Sequence, residues 1–200
     1  MRLVVQIDIL VTPLVTIGVG TGVAALIAPA LGKAAMKIGE LIMLATNLQP
    51  FLMGIAVSVL VGIALTLPIS SAAICAAFGL TGLAGGAAVA GCCAQMVGFA
   101  VMSFKENRWG GLVSQGIGTS MLQMGNIIKN PRIWIAPIVT SAITGPMATC
   151  LFKLQMNGTP VSSGMGTCGF VGQIGVYSGW VADIANGTKT AITGFDWAGL

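Results

Sequence analysis

Nine neutral polar side chains carry whatever recognition chemistry this sequence holds: Gln123, Asn126, Asn130, Asn157, Thr159, Ser162, Ser163, Thr167 and Gln173. Amides and hydroxyls both donate and accept hydrogen bonds. Set on irregular, glycine-rich backbone, they suit a neutral, hydroxyl-rich ligand, because no charge has to be desolvated to bind it. The same groups would equally satisfy one another across packed helices. Glycines at 158, 164, 166, 169, 172 and 175 thread the second half of the set.

Reactive groups are sparse by comparison. The acids are Asp8, Glu40, Glu106, Asp183 and Asp196, none beside another, and there is no histidine. No carboxylate pair, proton shuttle or catalytic residue is visible. The five cysteines, Cys75, Cys92, Cys93, Cys150 and Cys168, form no CxxC and sit among small or apolar residues. They read as buried thiols, and neither a metal site nor a cofactor is expected. Gly164, Gly166 and Gly169 spell GxGxxG, but membrane-like flanks favour close packing or irregular backbone over a dinucleotide loop. Two Asn-Gly-Thr triplets, at Asn157 and Asn186, match the short glycosylation pattern and carry no weight alone.

These groups have to be positioned by apolar elements. Hydrophobic residues make up 56% of the chain and charged residues 7%, against about a quarter charged in soluble domains. A globule this size could not be covered with so few polar side chains. The net charge of +4 therefore speaks to orientation in a bilayer rather than to nucleic acid. Spans are expected at residues 9–31, 41–67, within 70–104, at 133–152 and at 161–181. Pro68 breaks the charge-free run 41–104, and Pro137 with the Gly145-Pro146 pair should kink the fourth span. Gly18 and Gly22 form a GxxxG suited to close helix packing. Lys33, Lys37 and Glu40 mark a charged loop, and the 33–37 and 105–108 loops are both expected on the cytoplasmic side. Residues 109–129 have basic residues at both ends, so an interfacial or re-entrant element fits better than a crossing. Tyr177, Trp180 and Trp197 read as interface aromatics, and residues 191–200 as the start of another element. The expectation is an all-α polytopic integral membrane protein. It would have about five or six membrane segments, at least one of them re-entrant or broken, in one membrane domain over residues 1–200 that can be part of a longer chain.

The stretch NPRIWIAPIVTSAITGPMAT (130–149), followed by NGTPVSSGMGTCGFVGQIGV (157–176), resembles the membrane-embedded EIIC component of bacterial sugar phosphotransferase systems. The closest group is the divergent EIIC family that includes perfringolysin-regulator-like proteins. The resemblance implies a multi-pass permease of the bacterial inner membrane. It would be a homodimer that moves a sugar or polyol inward while separate EIIB and EIIA proteins supply the phosphoryl group. EIIC proteins carry a Glu several residues before an Asn-Pro and a His in a hairpin. Here the Asn130-Pro131 pair is present, counting back reaches Ser120, and histidine is absent. A membrane sensor derived from such a permease, or a structural subunit whose small residues serve only packing, are the alternatives. Asn157→Leu or Gln173→Leu is expected to weaken ligand binding while the protein still inserts and folds.

Overall fold

Pro50 opens the first core helix, α1 (Pro50–Thr66). Its fixed φ suits a first helical position, where the missing N–H has no partner to lose. Pro68 closes it, because the residue before a proline is driven out of the helical region, and Leu67 is extended. This computed structural model describes residues 46–199 and, ahead of them, residues 11, 15–23, 25, 33, 37, 40 and 42–44. Among the described residues all regular secondary structure is helical, apart from one isolated bridge between Gly82 and Met156. The expected 9–31 span lies largely outside them. Residues 15–23 are helical and exposed, and nothing described packs within 4 Å of a Cβ at Gly18 or Gly22. Lys33, Lys37 and Glu40, expected in a loop, are helical.

The run expected as one span within 70–104 is two helices. Ser70 caps α2 (Ser71–Phe78) by accepting from the Ala73 N–H at 3.2 Å, and Gly79, at φ 60°, ends it in the left-handed conformation. Then α3 (Gly82–Met102) runs for 21 residues. After it come α4 (Phe104–Val113), a π turn (Ser114–Gly118), a 3-10 turn (Ser120–Gln123) and α5 (Met124–Lys129). Arg108, at φ 51° and ψ −142°, breaks α4 in the middle. A 3-10 turn (Pro131–Trp134) leads into α6 (Ile135–Pro146). The helix widens into a π turn (Met147–Leu151) directly after Pro146, where the ring removes a backbone donor. Of the two expected kinks, this is the one at which the winding changes. Among the described residues Gly82–Met102 and Pro131–Leu151 are long and apolar enough to cross a membrane.

Helices α1, α3 and α6 form the core, and small residues set their spacing. A Cβ on Gly91 of α3 would run into the Ser58 carbonyl of α1, and one on Gly145 of α6 into the Gly54 carbonyl. The contact order fixes the directions. Ser58 meets Gly91, Cys92 points at Val61 O, and Thr66 meets Gln95, so α1 and α3 are parallel. Pro137 meets Gly98, Ser141 meets Gln95, and Thr149 donates to Pro50 O at 2.8 Å, so α6 is antiparallel to both.

The chain then turns back into the molecule. α7 (Pro160–Ser163), a 3-10 turn (Cys168–Phe170) and α8 (Val171–Ala185) form a hairpin along α2 and α3. On the way in, Ser71 Oγ donates to Gly164 O at 2.7 Å, Gly166 lies on Cys92, and Thr167 reaches Met96 Sδ at 3.5 Å. On the way out, Gln173 Nε2 meets Cys93 Sγ at 3.3 Å, and Gly179 returns to Asn157 and Gly158. From the level of Gly82 to that of Met96 is about four turns of α3, roughly 21 Å. At its deepest, Thr167 Oγ1 donates to Gly116 O, in the connection that leaves and returns at the other end of the core.

The last element, α9 (Gly194–Gly199), falls where a further element was expected. Trp180, expected as an interface aromatic, is buried. The helical period of α8 places it with Gly172, Val176 and Gly179 on the buried face, while Tyr177 faces outward.

Candidate functional site

Residues 153–157, Lys-Leu-Gln-Met-Asn, alternate polar and apolar, the period of an extended strand rather than a helix. The structure follows that period. Leu154 and Met156 are buried among Val89, Ala148, Val176 and Trp180, and Lys153, Gln155 and Asn157 point outward. Two hydrogen bonds of 3.0 Å between the Gly82 and Met156 backbones pin the segment to the start of α3. Lys153 takes the turn into it at φ 48°, a conformation costly for a side chain with a Cβ.

Gln155 and Asn157 are shared by two pockets. On one side, Asn47, Thr81, Gly82 and Met43 complete a neutral pocket of about 310 Å³. On the other lies a charged pocket of about 430 Å³ with Lys153, Trp180, Asp183, Thr188, Lys189 and Asp196. Asn157 Nδ2 donates to Asp183 Oδ2 at 2.7 Å, which fixes the amide between the two. Amides and a hydroxyl around a neutral cavity can exchange hydrogen bonds with several hydroxyls of one small ligand.

α9 closes the charged pocket. Lys189 Nζ lies 2.6 Å from Asp196 Oδ1 and 5.0 Å from the centre of the Trp180 ring, and Trp197 packs on both Trp180 and Tyr177. Desolvation pushes the Asp196 carboxyl up, but the hydrogen bonds from Lys189 and from the Thr193 backbone and hydroxyl outweigh it and hold it at about 2. A carboxyl depressed below its ordinary value of about 3.9 stabilises fully above that value and loses its contribution as pH falls towards the folded one. Tryptophan emission should therefore report loosening of α9 between about pH 4 and pH 2. Asp196→Asn should show the loosened signal already at neutral pH. Identical emission from the two proteins throughout would mean that this ion pair does not hold α9.

A third polar pocket, of about 340 Å³, lies at the opposite end of α3, lined by Phe99, Ser103, Glu106, Asn107, Gln123 and Asn126. Gln123 is buried and accepts from Asn126 Nδ2 at 2.8 Å. The 21 residues of α3 separate the two ends by roughly 30 Å. Between them a buried polar layer joins the core helices. Gln95 donates to Ser141 Oγ at 3.3 Å and accepts from Trp134 Nε1 at 3.2 Å and Thr66 Oγ1 at 3.4 Å, and Thr66 meets Ser120 Oγ at 3.1 Å.

The nine polar residues read from sequence thus lie in different places. Asn157 is at the pocket pair, and Gln123 and Asn126 are at the opposite pocket. Asn130 caps the turn that begins α6's span, accepting from Arg132 N at 3.3 Å. Thr159 pairs with Ser162 at 2.9 Å, and Ser163 donates to Pro160 O at 2.6 Å. Thr167 and Gln173 hold the hairpin against Gly116 and Cys93. The GxGxxG glycines are structural: Gly164 packs on Ser71, while Gly166 and Gly169 take φ 53° and 54°.

Sequence reading missed Gln155, Asn47, Thr81 and Glu106 as pocket residues. The alternation at 153–157 was the available signal for Gln155. The others are brought in by long-range packing.

Compared with known proteins, residues 2–195 match the sequence model of a family described as "Phosphotransferase system, EIIC". No curated protein and no solved structure matches.

Proposed function

The chain belongs to the phosphotransferase-system EIIC family, and from that membership we propose that it is the multi-pass permease component of the bacterial inner membrane for a small neutral sugar or polyol. EIIB and EIIA proteins would act as its phosphoryl-donating partners and a second copy as its dimer mate. The carrying observation is the neutral pocket at Gln155 and Asn157, whose amides, with Thr81 and Asn47, offer donors and acceptors and no charge. Polar pockets at both ends of a membrane-length helix, with the buried Gln95 layer between them, support a transport cycle in which each end opens in turn. The hairpin that enters and leaves at one end is the re-entrant element of this reading. It carries irregular backbone where other protein segments can satisfy it.

The test is a thermal-shift screen of the detergent-purified chain against sugars, polyols and their phosphates, followed by vesicle uptake with and without EIIB. A ligand that binds only the folded state raises its apparent stability. A neutral stabiliser that is also taken up supports the permease. A stabiliser without uptake replaces it with the sensor reading, and no stabiliser at all removes the solute site.

A further inference from the structure

Four exposed cations, Lys105, Arg108, Lys129 and Arg132, flank the connection between the two membrane-length helices. Two follow the end of α3, one lies at the end of α5, and one sits at the start of the 131–151 span. Phe99, Met102 and Ile133 line one pocket, so both ends of the connection lie at the same end of the core. The only acid in this connection is Glu106, and no carboxylate lies within ion-pairing distance of any of the four among the described residues. Large apolar side chains stand exposed between them: Trp109 at 70%, Leu122 at 59% and Ile128 at 71%.

We infer that this connection is a binding surface for anionic phospholipid headgroups. Position selects lipid over other polyanions. Cations at the ends of two spans lie at the headgroup plane, and the exposed tryptophan and aliphatics beside them fit the acyl boundary. A soluble acidic partner would leave those apolar side chains in water. Arg108, itself one of the four, kinks α4 between Lys105 and Trp109. The inference rests on the membrane placement proposed above and is independent of the solute.

The experiment measures binding of dioctanoyl phosphatidylglycerol and dioctanoyl phosphatidylcholine to the detergent-purified chain, at low and high salt. Phosphatidylglycerol should bind at least tenfold tighter at low salt. The preference should fall by up to roughly fivefold for each cation replaced by glutamine, be lost in the fourfold variant, and shrink with salt. Lys105→Arg with Lys129→Arg should keep it. A wild type without preference, or a fourfold glutamine variant that folds and retains it, overturns the inference. So does a polyglutamate peptide that binds through the same four residues while lipids are not discriminated. If the wild type does not stay with phosphatidylcholine vesicles after an alkaline wash, the membrane placement itself is wrong. Retention without lipid preference rejects the headgroup site alone.

Discussion

Gly91→Ala should destabilise the protein by about 2–4 kcal/mol, although alanine is the better helix former by about 1 kcal/mol. The reversal comes from position. A Cβ at residue 91 would fall on the Ser58 carbonyl, and the next-nearest atoms are also backbone, so no side chain can swing away. The helices would have to part, and close-packed interiors give way poorly. Parting them also strains neighbouring hydrogen bonds, since Ser141 Oγ donates to Gly91 O at 3.3 Å and Ser58 Oγ to Ser141 O. Gly110→Ala is the companion measurement. That glycine is exposed and helical with nothing within 4 Å of a Cβ, so alanine should be neutral or stabilising there. Thermal unfolding in detergent separates the two, and a rise in midpoint for Gly91→Ala would refute the packing argument.

The second large effect is on binding. Asn157→Leu should weaken a solute found by the screen at least tenfold, because a site built to hydrogen-bond its ligand pays for each partner left unpaired. The same change removes the 2.7 Å hydrogen bond to Asp183 and frees that carboxylate into the charged pocket. Gln173→Leu should behave differently. Gln173 lies against Cys93 with its Oε1 unpartnered, and it does not line the Gln155–Asn157 pockets. Its replacement should alter stability and leave affinity within about twofold, on the rule that distant sites act independently. Equal affinity in wild type and Asn157→Leu would move the solute site away from the extended segment.

Much of this architecture was legible because membrane-length apolar runs and prolines act locally. The 133–152 expectation met a helical run at 131–151, and Pro68 ended α1 as read. The connection before Asn130 was read as non-crossing from its charges, and its two ends do lie together. What sequence could not show was pairing at a distance. Ser70 and Gly79 are ordinary helix signals, yet a charge-free run hid them, so α2 and α3 merged into one expected span. The polar residues of 157–173 were recognisable as a set, but their partners depend on how the hairpin folds back. Ser162, Ser163 and Thr167 turned inward to bonds within the fold. The burial of Trp180 is likewise not legible from its type, because it depends on the helical phase that it shares with the glycines at 172, 175 and 179.

The parallel run of α1 and α3 also constrains how the protein is made. Between them the chain has to regain the starting end, and α2, with eight residues and roughly 12 Å of helix, is too short to span a bilayer. Its Ser71 hydroxyl is satisfied by Gly164 O, 93 residues later. At the ribosome's pace of about 5–20 residues per second, that partner arrives roughly 5–20 s after Ser71 is made. Until then the face of α2 that meets the hairpin has no partner to cover it. Folding therefore cannot finish segment by segment, and a nascent chain halted before residue 164 should be an intermediate that chaperones and proteases can distinguish from the finished fold.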